Sequence, residues 1–164
     1  MNDQTYHTPD SENPQVNSSS EWRNVDVSTP DGLRALDVII ATRTGYEITI
    51  WHNEATLKFQ GRLIAQFEDR FTSDPIGMID RYIPLYTTNI NAAILLVTDN
   101  DLFFRLDYDW NTVKPSQWQA TVESAVRGRR KATTPALAIC LAWLDYMDAV
   151  TNAQQAADGA GGAE

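Results

Sequence analysis

The chain has 164 residues, 43% of them hydrophobic and 10% aromatic, with a formal net charge of −9. That length and composition predict one folded domain with its own core and exclude a wholly disordered chain. The acidity disfavours nucleic acid and anionic membranes as partners, since both repel a negative protein, and leaves other proteins as the expected partners.

Residues 1–21, "MNDQTYHTPDSENPQVNSSSE", are polar and rich in Asn, Ser and Pro, and predict a flexible arm. The stretch after Met1 has neither a basic region nor an apolar one, so no secretory leader is expected. A single domain is expected over residues 22–157. Thr29-Pro30-Asp31-Gly32 reads as a turn or the start of a helix. "DGLRALDVIIATR" then sets Leu33, Leu36, Val38, Ile39 and Ile40 on one broad apolar face, as a helix does, although "LDVII" also suits a strand. Gly45 is placed to end that helix.

"YEITIW" alternates Tyr46, Ile48 and Ile50 against Glu47, Thr49 and Trp51, which predicts a strand. "TLKFQ" and "LIAQFED" continue as two more strands, with Leu57, Phe59, Leu63, Ala65 and Phe67 inward; a helix over residues 55–71 is the competing reading. "TSDPIGMIDRYIPLY" predicts a short helix capped by Ser73 or Asp74 and stopped by Pro84. "NAAILLVTDNDLFFRLDYDW" reads as a hairpin turning at "DND". "KPSQWQATVESAVRGRRK" reads as a helix capped by Ser116, with Trp118, Val122, Ala125 and Val126 at helical spacing. "ALAICLAWLDYMDAVTNAQQAAD" reads as a long helix, and residues 158–164 as a flexible Gly/Ala tail. The expected fold is α+β: an antiparallel sheet of about five strands in two hairpin units, helices packed on one face, and a long C-terminal helix.

Chemistry is sparse along this chain. Asp99 and Asp101 suit a tight turn, because Asp tolerates left-handed backbone. They do not fit a calcium loop, which needs glycine sixth and glutamate twelfth; the twelfth residue from Asp99 is Trp110. Asp107 and Asp109 fall on the non-core face of the following strand, with Phe103 and Arg105. His7 and His52 are far apart, and one cysteine cannot complete an ordinary zinc site with them. His52 and Glu54 could form an acid/base pair, but an exposed polar turn is the simpler reading. Cys140 lies in an apolar helix and reads as a buried, inert thiol; a lone cysteine also fits a reducing compartment, so a cytoplasmic location is expected. The apolar runs are too short to span a bilayer. No cofactor and no metal is expected.

Two features suggest binding instead. Arg127, Arg129, Arg130 and Lys131 form the basic cluster "RGRRK", placed by this reading at a helix C-terminus, where it offsets the dipole or anchors an acidic partner. Trp51 and Phe103 fall on strand faces opposite the core residues, and aromatics are favoured at binding surfaces.

The segments "PIGMIDRYIPLY", "AAILLVTDNDLFFRLDYDW" and "KPSQWQATVESAV", within residues 30–150, resemble in pattern the YbjN and type III secretion chaperone-like family. The resemblance implies a small acidic protein without catalytic activity that binds another polypeptide, often as a dimer. The expected function is a non-catalytic protein-binding module, a chaperone-like adaptor or an inhibitor or immunity-type protein. It would use a sheet face and the termini, through Trp51, Phe103, Arg105, Asp107, Asp109, Arg127, Arg129, Arg130 and Lys131, in a homo- or hetero-oligomer. The alternative is a structural subunit of a larger assembly such as a viral particle, with the arm draped over its neighbours.

Overall fold

The structure is a computed structural model that describes residues 21–51, 54–68, 79, 81–110 and 117–160. Residues 1–20 of the expected arm, His52, and residues 73–78 and 80 of the helix expected over 73–84 lie outside the described residues. The fold is α+β. A 3-10 turn at Glu21–Asn24 precedes α1 (Pro30–Arg43), then β1 (Tyr46–Trp51), β2 (Glu54–Phe59) and β3 (Arg62–Glu68). After these come α2 (Ile90–Thr98), β4 (Phe103–Tyr108), β5 (Trp118–Glu123), β6 (Arg127–Ala132) and α3 (Pro135–Ala160).

The first half follows the sequence pattern. Thr29 caps α1, its hydroxyl accepting from the Gly32 N–H at 3.1 Å, and Pro30 stands at the first helical position. Leu36 and Ile40 are fully buried from α1, and Gly45, at φ 103°, separates α1 from β1. Leu57 and Ala65 face the core as expected, but Leu63 does not: it is 57% exposed. A bulge explains the difference. Leu57 pairs with Ala65 while Lys58 pairs with Leu63, so Ile64 is the extra residue and Leu63 joins Lys58 on the outer face.

Three expectations are corrected. The single sheet of about five strands is two antiparallel three-stranded sheets, β1-β2-β3 and β4-β5-β6. The first arm of the expected hairpin, "NAAILLVT", is the helix α2. Asn89 caps it, its side chain accepting from the N–H groups of Asn91 and Ala92, and Ala93, Leu96 and Val97 are buried at helical spacing. A short apolar run carries no period of its own, and the cap decides. The expected helix over residues 116–131 is instead the pair β5 and β6. Its period is two: Ala120 and Val122 are buried, while Gln119, Thr121 and Glu123 alternate with them. Two of the three segments that carry the chaperone-like resemblance therefore form other elements than those read from them.

One apolar core joins both sheets and the helices, with Trp22, Leu36, Leu57, Val97, Val122 and Trp143 among its buried members. α3 lies across β5 and β6. The two backbones come close at Gly128, where an added Cβ would collide with the Ala142 carbonyl oxygen and the Tyr146 backbone of α3. Only a glycine strand residue lets two backbones approach this closely. Among the described residues no helix is long and apolar enough to cross a membrane.

Candidate functional site

Strand alternation sorts the basic cluster into two groups. Gly128, Arg130 and Ala132 of β6 face α3, whereas Arg127, Arg129 and Lys131 are exposed on the opposite face. The ladder then brings them level with residues of β5 and β4. Arg127 lies beside Glu123 and Phe103, Arg129 beside Thr121 and Arg105, and Lys131 beside Gln119 and Asp107. The acidic strand and the basic cluster, far apart in sequence, thus share one sheet face. Arg130 is the member that leaves it.

The face is charged and internally paired. Arg105 Nε donates to Asp107 Oδ1 at 2.9 Å, and Arg127 Nε donates to Glu123 Oε2 at 2.7 Å. Arg129 Nη2 donates to Gln119 Oε1 at 3.1 Å, and Lys131 Nζ lies 3.5 Å from Asp109 Oδ2. Such exposed pairs contribute little to stability, about 0–1 kcal/mol each. Phe103, at the corner of this lattice, is 79% exposed. Trp51 belongs to β1 in the other sheet, so it does not share a sheet face with Phe103, and its side chain lies outside the described residues.

Arg130 instead joins a polar clasp beneath α3. Its Nη2 donates to Asp145 Oδ1 at 2.6 Å, and its guanidinium lies 5.3 Å from the centre of the Trp22 ring. Asp148 accepts from Trp22 Nε1 at 2.9 Å, Arg23 Nη2 at 3.0 Å and Arg43 Nη1 at 2.9 Å. Two acids one helical turn apart on α3 thereby fasten the 3-10 turn, the end of α1 and β6. Sequence reasoning missed the clasp, although Asp145 and Asp148, spaced i,i+3 beside an apolar run, were a signal for it.

A second buried acid was also missed. Asp37 is 1% exposed; its Oδ1 accepts the Thr87 N–H at 2.7 Å, and Arg34 Nη1 lies 3.4 Å from its Oδ2. Burial raises its carboxyl above the ordinary value, against the lowering effect of the Thr87 and Arg34 contacts. Cys140 is fully buried, and burial, with a smaller push from Asp37, raises its thiol well above the usual range. That thiol is poorly placed to become a nucleophile.

A half-open cavity of about 330 Å³ lies between the end of α1, the β2–β3 turn and α2, with Tyr46, Phe59, Tyr86 and Leu95 in its walls. Among the described residues its lining includes one carboxylate, Asp99, and no histidine, lysine or arginine. Asp101 sits in left-handed backbone at φ 53°, as the turn reading expects. Among the described residues no three histidine, cysteine or acidic side chains converge as metal ligands would.

No family model and no curated protein matches the chain. Among solved structures it is similar to a phage protein from Bacillus cereus ATCC 14579, solved at 2.0 Å. The two are 24% identical with a TM-score of 0.46, over 68% of this chain and 88% of that one. A likeness at that level says nothing of activity or partners.

Proposed function

We propose that this chain is a non-catalytic protein-binding module, of adaptor or inhibitor type, that holds another polypeptide on the outer face of β4-β5-β6. The observation that carries this reading is the exposure of Phe103, at 79%, beside a lattice of directional charged groups. An exposed aromatic with Arg105 and Arg127 nearby offers the apolar anchor and the arginines in which binding hot spots are rich. Arg105, Arg127, Arg129 and Lys131 outnumber Asp107, Asp109 and Glu123 there, in a chain whose net charge is −9. The face therefore favours a partner segment that brings an apolar anchor and acidic neighbours, and it disfavours partners as basic as nucleic-acid-binding tails.

Affinity capture with the tagged chain, followed by titration of the captured partner, tests this reading. Phe103→Ala combined with Arg129→Glu should weaken binding by roughly tenfold or more. The thermal midpoint should barely move, since exposed substitutions change stability by only about 0.5 kcal/mol. Equal capture by wild type and the double variant would place the partner elsewhere.

A further inference from the structure

The two edges of the β4-β5-β6 sheet differ in their defences. β6 carries Arg127, Arg129 and Lys131 along one edge, and basic side chains on an edge strand discourage pairing with other strands. β4, at the other edge, carries Phe103, Phe104, Leu106 and Tyr108 and leads into Trp110, which is 86% exposed. α3 packs chiefly on β5 and β6 rather than on β4. Phe104, Leu106 and Tyr108 are consequently only half-buried, although they lie on the helix side of the sheet. Among the described residues no strand pairs with the outer edge of β4.

The backbone shows which groups face that edge. The Asp109 N–H donates to the Gln117 carbonyl at 2.8 Å, so Asp109 aims its main chain at the strand β5 extends from. Direction alternates along an antiparallel ladder, and Asp107 and Arg105 do the same. The N–H and C=O groups of Phe104, Leu106 and Tyr108 are therefore directed at the open edge.

We propose that β4 pairs antiparallel with β4 of a second copy of this chain, across a two-fold axis at Leu106, joining the two sheets into one. The charge pattern selects both the occupant and the register. With Leu106 opposite itself, Arg105 stands opposite Asp107 of the partner subunit, and the symmetry makes that pair twice. Phe104 then meets the partner's Tyr108 on the half-buried face, the kind of aromatic cross-strand pair that stabilises sheets. The register also pairs Leu106 through both of its main-chain groups. Sliding by two residues in either direction sets Arg105 against Arg105 of the partner subunit, or Asp107 against the partner's Asp107. The proposal goes beyond the face reading and stands whether or not that face holds another polypeptide.

Sedimentation equilibrium of the purified full chain, with no partner added, is the test, so its failure and the failure of the face reading appear in different measurements. The wild type should sediment with the mass of two chains at micromolar concentration. Arg105→Asp and Asp107→Arg each place like charges across the axis and should weaken the dimer by about tenfold. The double variant R105D/D107R restores the complementary pairs and should recover the wild-type association. Circular dichroism should match among all four proteins, because neither side chain is buried. A wild type that sediments as a single chain overturns the proposal. So do single variants as dimeric as wild type, or a double variant as weak as the singles.

Discussion

Asp37 shows what a single buried carboxylate does to this fold. It holds the Thr87 N–H to α1, while Arg34 beside it donates to the Ile83 carbonyl at 3.2 Å, so one turn of helix ties down the segment before α2. Because burial raises its pKa from the ordinary 3.8, the folded protein holds this proton at a pH where the unfolded chain has released it. Its contribution to stability is thus greatest below that ordinary value and is lost as pH rises through the raised one. Asp37→Asn keeps an oxygen for Thr87 and removes the titration. In urea unfolding from about pH 4 to about pH 7, the variant should gain on wild type as pH rises. A difference between the two that stays constant across this range would mean the carboxyl titrates like an exposed one.

At the scale of elements, legibility in the sequence tracked how much each segment said for itself. β1 was legible from its clean alternation, and α1 from a broad apolar face and the stop at Gly45, with Thr29 emerging as its cap only in the structure. The segments of α2 and of β5–β6 were not. "AAILLV" is apolar throughout, so its period is invisible, and the deciding signal was the side chain of Asn89, just before the helix begins at Ile90. "WQATVESAVRGRRK" satisfies both periods, and what selects the strand is α3, a long-range partner. The candidate face was half legible for the same reason. Phe103, Arg105 and Asp107 follow from alternation alone, but their joining with Arg127, Arg129 and Lys131 depends on strand pairing. Gly128 is the element-scale test of that packing. Gly128→Ala drives a methyl into the α3 backbone and should cost about 2–3 kcal/mol in chemical denaturation. A loss within about 0.5 kcal/mol would show that α3 shifts freely over β6.

Across the whole molecule, the clasp joins parts that the hydrophobic core alone leaves without directional links. Asp148 is nearly buried, with 8% of its side chain exposed, and accepts from three groups on two separate segments. Asp148→Ala removes the buried acceptor of the Trp22 indole, Arg23 and Arg43 at once, and should cost about 3 kcal/mol, read as a shift in the denaturation midpoint. A cost like that of an exposed pair, below about 1 kcal/mol, would show that solvent replaces the carboxylate. The two ends of the bond from Trp22 to Asp148 are 126 positions apart. On a ribosome, the arginines and tryptophan of the early segments emerge long before the acids that neutralise them, and β5 and β6 emerge before the helix that covers them. Folding of this domain therefore waits for α3, and a nascent chain stalled before Asp145 exposes uncovered strands to whatever chaperone meets it first.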